Sequence, residues 1–314
     1  MRADAIFEGG GVRGIALVGA LVAAEEAGYT DWMNVAGASV GSVLASLVAA
    51  GYRGLEIKAL MDDLDIAALR HVSWGGPALS LLLNGGLYSL SPLETWLNKA
   101  LAAKGLNTFG DRVLHGVEPR YHYRLQVITS DLARKALVLL PRDAKTYKVA
   151  ADAVPVAPAV VMSSSIPLYF RPVRWQGGVF VDGGLLSDFP VWLFDEPGAP
   201  EWPTFGFHFQ GDAQTGKPAA VRWPWDIALA SVEAMFLNQN SRKVPGADVA
   251  RVIEVPTLGI SPTAFDLSRT QRKALYQAGY DAGRRFFDHW DFAAHCAARA
   301  GMPARVEVAA GLTR

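Results

Sequence analysis

The sequence predicts an α/β fold in which helices cover a mostly parallel central sheet. Three observations carry that expectation. Strand-like and helical runs alternate from the N-terminus, glycine-rich turns sit where strand gives way to helix, and the chain is apolar enough to fill a large interior. Hydrophobic residues make up 51% of the 314 and charged residues 19%, a balance that suits one elaborated domain. Ala3 to Phe7 reads as a short buried strand, followed by glycines and an Ala/Leu/Val helix from about Gly14 to Ala27 that Gly28 closes. A second strand, about Asn34 to Ala38, runs into Ser39 and a helix of small and apolar residues that ends at Gly51. Such alternation is the signature of a parallel sheet whose sites gather at the carboxyl ends of its strands.

Further along, His71 to Leu101 reads as an apolar segment followed by a helix that starts at Ser91-Pro92 and carries Trp96 and Leu97 on its apolar face. Tyr123 to Ile128 and Ala136 to Leu140 suit a hairpin on the sheet. Val179 to Val181 is a last short strand ending at Asp182-Gly183-Gly184, and the parallel arrangement places that end on the same edge as Ser39. Between Glu196 and Pro224, Pro- and Gly-rich loops flank one strand, TFGFHF, and Leu267 to Trp290 closes the fold as a helix. The expected organisation is one domain over 1–291, with core elements in about 3–195, and a C-terminal tail over 292–314.

Charge excludes some partners. Lys+Arg and Asp+Glu both number 30, so no bulk field draws the chain to nucleic acid, and any membrane contact must be local and apolar. Cys296 is the only cysteine and cannot form an intrachain disulfide; no Cys/His cluster has zinc spacing, so neither metal nor other cofactor is expected. The N-terminus meets Glu8 and a glycine run before any secretory apolar region is complete, and the longest apolar runs fall short of the roughly 20 residues that cross a bilayer. The expectation is a cytoplasmic protein without a transmembrane segment, able to associate with a membrane surface.

The sharpest local feature is GASVG, Gly37 to Gly41, which fits the G-x-S-x-G nucleophile elbow between a strand and a helix. Gly37 and Gly41 would let the turn tighten enough to lift the Ser39 hydroxyl clear of the sheet at the positive end of the next helix. Ser39 could equally be a plain N-cap. Gly9, Gly10, Gly11, Val12, Arg13 and Gly14 form a loop whose N–H groups can face an anion, an oxyanion hole for an intermediate built on Ser39. The same loop matches G-x-G-x-x-G, but a dinucleotide fingerprint needs an acidic residue ending the next strand, where this chain has Ser39. Arg13 reads as a helix-start ion-pair partner or as a source of positive potential. Asp182, beside Gly183 and Gly184, offers a base, although Asp-Gly alone is a common turn pair. Of the six histidines, His208 has the right order for a Ser-Asp-His triad, yet it sits mid-strand between phenylalanines; His289 and His295 read as helix-surface residues.

Taken in order, GGGVRG, GASVG, SSSIP at Ser163 to Pro167 and the DGG at Asp182 resemble the patatin-like phospholipase family, bacterial type. GLYSLSPLETWL at Gly86 to Leu97, TSDL at Thr129 to Leu132, DGGLLSDFPV at Asp182 to Val191 and FDLSRTQRKALYQAGYDAG near the C-terminus extend the likeness over most of the chain. The resemblance implies a patatin-like three-layer fold, lipid acyl hydrolysis without a metal, and a Ser-Asp dyad in which Ser39 is the nucleophile, Asp182 the base and Gly9 to Gly14 the oxyanion hole. Asp188 departs from the Asn that many relatives carry after DGG. SSSIP on its own is a polar turn, and the resemblance makes it a support for the site. The resulting expectation is phospholipase A-type cleavage of fatty-acyl esters of glycerolipids at a lipid or membrane surface, with the apolar stretch Trp74 to Leu93 lining or covering the acyl channel. Two alternatives stand beside it: a Ser-His-Asp esterase of a different hydrolase class, and a non-catalytic lipid- or nucleotide-binding protein.

Overall fold

The computed structural model describes residues 1–64, 76–187, 189–196, 198–210, 230, 234 and 246–300; Asp188, His71 and Trp74 lie outside that set. Ten strands are present among the described residues: β1 (Arg2–Phe7), β2 (Asp31–Ala38), β3 (Gly86–Tyr88), β4 (Leu125–Asp131), β5 (Ala136–Leu140), β6 (Leu168–Phe170), β7 (Val173–Trp175), β8 (Gly178–Asp182), β9 (Thr204–Phe209) and β10 (Val252–Val255). Eight of them build the central sheet in the order β10-β9-β1-β2-β4-β8-β7, with β5 paired to β4, while β3 and β6 form a separate parallel pair. The run from β10 to β4 is parallel throughout. The helices are α1 (Gly14–Glu26), α2 (Val40–Ala50), α3 (Gly54–Asp63), α4 (Gly76–Asn84), α5 (Ser91–Ala103), α6 (Val156–Ser164), α7 (Gly246–Val249), α8 (Arg269–Phe287) and α9 (Phe292–Arg299). This is the expected architecture, a largely parallel central sheet flanked by helices in three layers.

The early elements form where their patterns place them. Helix α1 has no polar face, and Gly14 to Ala24 are all buried, which requires cover on both sides. The sheet supplies one side and α8 the other. Backbones approach closely there: a Cβ on Gly279 of α8 would lie 1.8 Å from the Ala16 carbonyl oxygen, and one on Gly19 would lie 2.1 Å from that of Tyr276. Glycine at both positions therefore fixes the packing distance. The main core gathers Phe7, Leu17, Leu21, Leu44, Leu47, Val127, Val160 and Phe180 on one face of the sheet, and a smaller cluster of Ile6, Ala36, Ala38, Ile128 and Phe194 forms on the other.

The strand carrying Asp182 arrives in a different way from that expected. Strand β8 is antiparallel to β4, so convergence of parallel strand ends does not bring Asp182 to the site. Along β4, residues 125–128 pair with β2 and residues 129–131 pair with β8, while β5 holds the opposite edge. Strands β2 and β8 thus share one lane and meet carboxyl end to carboxyl end. Ala38 stands opposite Ile128 and Asp182 opposite Thr129, one step apart on β4.

Strand β10 and helix α9 were not expected. In α9, His295 and Arg299 are buried, and Arg299 joins Asp195 and Arg251 in an interior ion-pair network. His295 is therefore not the surface residue its position in the sequence suggested.

Candidate active site

Ser39 occupies the turn between β2 and α2 with φ 52° and ψ −128°, a backbone that a side-chain-bearing residue holds only at a cost of order 1–3 kcal/mol. The surrounding sequence makes that turn possible. A Cβ on Gly37 would lie 2.2 Å from the Gly41 carbonyl oxygen, and a Cβ on Gly41 would lie 2.2 Å from that of Phe7. The N-cap role falls away, because the Ser39 side chain makes no capping hydrogen bond to α2. The Ser39 N–H donates to Ser163 Oγ at 2.9 Å, and the Ser163 hydroxyl donates to the Ile128 carbonyl at 2.6 Å. SSSIP is thus more than a polar turn: Ser163, in the last turn of α6, ties the elbow to β4, and the Ser165 carbonyl accepts the Asp182 N–H at 2.9 Å.

Asp182 is fully buried. Its Oδ1 accepts the Gly184 N–H at 2.8 Å, which caps the short 3-10 turn that follows. Gly183 sits between the two strand ends: a Cβ there would lie 2.4 Å from the Ile128 carbonyl oxygen and 3.2 Å from Ala38 Cβ. The residue after Asp182 is therefore in contact with the residue before Ser39. The double glycine permits this approach.

The glycine loop packs against the elbow from β1. A Cβ on Gly9 would stand 3.3 Å from Ser39 Cβ, and one on Gly14 would stand 2.3 Å from Val40 Cγ2. Three of the loop's N–H groups are engaged, Val12 with the Pro262 carbonyl at 3.0 Å, Arg13 with that of Gly10 at 3.2 Å, and Gly14 with that of Gly11. Among the described residues, the N–H groups of Gly9, Gly10 and Gly11 donate to no protein acceptor, although Gly9 and Gly10 are buried. Buried backbone donors are rarely left so. Arg13 acts on this loop from within: it is buried, its Nε donates to the Gly10 carbonyl at 3.1 Å and its guanidinium lies over the Phe209 ring at 4.6 Å. In a planar trans peptide, holding the Gly10 carbonyl one way points the Gly11 N–H the other. Gly11 lines the same pocket as Ser39.

His208 lies one strand beyond β1, level with Glu8. Its Nε2 is 3.6 Å from Glu8 Oε1 and its ring packs on Phe189 at 4.8 Å. Burial, with a contribution from the Arg13 charge, lowers its pKa from 6.5 to about 4. Glu8 is itself buried and accepts the Phe209 N–H. His208 is a packed strand residue that meets Glu8 and Phe189. No group of three or more His, Cys, Asp or Glu could hold a metal among the described residues. No helix among them is long and apolar enough to cross a membrane.

Beside Ser39 opens a cleft lined by Val43, Leu90, Leu93, Phe170 and Phe265 among others, and apolar walls of this kind are usual in small-molecule sites. Leu90 and Leu93 come from the stretch expected to line or cover a channel, while Leu82 and Leu83 of α4 are 82% and 73% exposed. Pro262 carries no signal in the sequence, and Phe265 enters there only as the first residue of the FDLSRT likeness, with no role in the site. Both sit in a loop without periodicity.

The family model for patatin-like phospholipase matches residues 5–195. YqhO of Bacillus subtilis strain 168 is 31% identical over 306 residues, covering 93% of this chain and 100% of YqhO. R571 of Acanthamoeba polyphaga mimivirus is 26% identical over 282 residues, covering 87% and 89%. Among solved structures, VipD from Legionella pneumophila shares the fold with a TM-score of 0.57 at 19% identity, covering 92% of this chain and 67% of that one. ExoU, in its heterodimeric complex with SpcU from Pseudomonas aeruginosa, gives 0.51 at 19%, covering 91% and 51%. The chain spans about two-thirds of the first structure and half of the second. Over more than half its length it matches the family model, and the chain belongs to the patatin-like phospholipase family of lipid hydrolases.

Proposed function

We propose that the protein is a phospholipase A-type acyl hydrolase that cleaves fatty-acyl esters of glycerolipids with a Ser39-Asp182 dyad. The observation that carries this reading is the head-to-head meeting of β2 and β8 beside a glycine loop in which, among the described residues, three N–H groups have no protein acceptor. Asp182 takes the proton from the Ser39 hydroxyl as the oxygen attacks the ester carbonyl. The carbonyl oxygen becomes an oxyanion, which the N–H groups of Gly9, Gly10 and Gly11 stabilise. Collapse of the intermediate returns the proton to the departing glycerolipid alcohol and leaves an acyl-serine. Water, deprotonated by Asp182, then attacks that ester and releases the fatty acid. A carboxylate is a weak base for a serine, so the dyad depends on Asp182 being held close to Ser39 where β2 and β8 meet. The apolar cleft receives the acyl chain. A Ser-His-Asp mechanism has no support in the surroundings of His208, which meets Glu8 and Phe189 instead.

A fluorophosphonate probe tests the assignment. It is expected to label Ser39, and Ser39→Ala is expected to lose both labelling and phospholipid hydrolysis. Asp182→Asn keeps the oxygen that accepts from Gly184 but cannot accept the serine proton, so hydrolysis falls to the residue left by the oxyanion hole and binding. A folded His208→Ala that loses as much activity as Ser39→Ala, with Asp182→Asn still active, would replace the dyad by a triad.

A further inference from the structure

We propose that Phe265 is a specificity-determining residue, the wall that sets how long an acyl chain the cleft accepts, and that the segment 257–265 carrying it is part of the active site. The proposal rests on the hydrolase reading above and extends it to a region outside the 5–195 span of the family match. The segment joins β10 to α8. Leu258 and Gly259 are both left-handed, with φ 54° and 69°, and they turn the chain back toward the glycine loop. Its shape is held internally by Ile260 N–H to the Thr257 carbonyl at 3.0 Å and Ala264 N–H to that of Ser261 at 3.1 Å. The segment is anchored to the catalytic machinery at Pro262, which is buried. The Pro262 carbonyl accepts the Val12 N–H at 3.0 Å, and it stands 2.0 Å from where a Cβ on Gly11 would be.

Three residues on, Phe265 enters the cleft that holds Ser39 and is only 8% exposed. Its ring stacks on Tyr169, with centroids 5.1 Å apart and planes at 10°, and meets Phe170 edge-on at 5.9 Å. Phe170 lines the cleft as well. Aromatic rings locked by such contacts form a stiff wall, whereas Val43, Leu90 and Leu93 present aliphatic surface that can adapt. An acyl chain is held by the area it buries, about fourfold in affinity for each methylene. A shorter side chain at 265 therefore admits more of the chain, and a larger one excludes it.

The test compares Phe265→Ala, Phe265→Leu and Phe265→Trp with the unaltered protein. The ratio of kcat/KM for nitrophenyl palmitate to that for nitrophenyl butyrate is measured for each. In a Ser39→Ala background, displacement of a fluorescent fatty acid by free fatty acids of the same lengths reads the cleft without catalysis. The ratio is expected to rise about tenfold or more with Ala and Leu and to fall as much with Trp, the change expected when two or more methylenes gain or lose burial. Displacement should shift the same way. If Phe265→Ala fails to fold, the Leu and Trp variants decide. Profiles that superimpose on the unaltered protein in both assays overturn the proposal. Displacement that shifts while no variant, nor the unaltered protein, hydrolyses any ester keeps the wall and removes the hydrolase reading.

Discussion

At the scale of single residues, two adjacent glycines in one loop serve different ends, and the structure separates them. A methyl group at Gly9 would point at Ser39, 3.3 Å from its Cβ, whereas one at Gly10 would enter the Phe209 ring at 2.1 Å. Phe209 is buried and cannot move aside. Gly9→Ala is therefore expected to stay folded, with a Tm close to the unaltered protein, and to lower kcat by about 10²- to 10³-fold, the usual effect of disturbing one oxyanion donor. Gly10→Ala is expected to lose about 1–3 kcal/mol of stability through overpacking, whatever its activity. Thermal melts and ester kinetics on the two variants check both statements, and equal loss of stability in both would remove the distinction. The candidate site residues Ser39, Asp182, Gly37 and Gly41 stood out in the sequence because each sits in a motif whose chemistry needs that residue type. The division of labour among Gly9 to Gly14 was not, because it depends on what Phe209 and Pro262, some 200 and 250 residues away, place against them.

At the scale of elements, the site exists because β2 and β8 share one edge of β4 and because a serine in the last turn of α6 holds the elbow. Ser163 bridges Ser39 and Ile128 from 0% exposure. Ser163→Ala leaves both the Ser39 N–H and the Ile128 carbonyl without that partner in a dry place, which costs about 1–3 kcal/mol. It should also loosen a turn that is strained to begin with. The expected outcome is a lower Tm and a lower kcat with KM little changed, since the cleft walls are untouched, and Ser163→Thr should recover part of both. A variant with wild-type kcat would show that the elbow holds itself. Apolar runs bounded by glycines made α1 and α2 readable before the structure, an apolar face marked α5, and β-rich segments marked the β4–β5 hairpin. Strands of three or four residues such as β3, β6, β7 and β10 carry no alternation to read, and strand order is fixed by long-range pairing that leaves no local trace. That is why Asp182 was assigned to the correct edge for the wrong geometric reason.

At the scale of the whole molecule, buried titratable groups set how stability depends on pH. His208 and His295 are both lowered from 6.5 to about 4, the first by burial and the Arg13 charge, the second by burial and the charges of Arg251 and Arg299, against Asp195 and Asp248. Glu8, 3.6 Å from His208, does not reverse the effect of burial. Asp4 moves oppositely, raised from 3.8 to about 7 by burial in spite of hydrogen bonds from Asn34 and Thr204. The signs follow from proton counting. Between pH 4 and 6.5 the unfolded chain holds protons on the two histidines that the folded chain refuses, so their contribution is complete above 6.5 and is lost as pH falls toward 4. Asp4 contributes the reverse, because the folded chain keeps a proton that the unfolded chain releases above 3.8, and that stability is lost as pH rises toward 7. Asp131 acts lower still: burial would raise it, but Arg134 at 2.8 Å and the Val179 N–H keep it below 3.8, so its contribution disappears only in stronger acid. Two histidines against Asp4 leave the unfolded chain about one proton richer, roughly 1.4 kcal/mol per pH unit, across the window from 4 to 6.5, a slope that Glu25, also raised by burial, reduces in part. Thermal melts at constant ionic strength should therefore show Tm rising from pH 4.5 to a maximum near 6.5. His295→Gln removes one of the two histidine contributions and should nearly flatten that rise, while Asp4→Asn should steepen it. A Tm that rises toward acid in the unaltered protein, or a His295→Gln profile as steep as the parent's, would mean that the buried histidines do not govern this window.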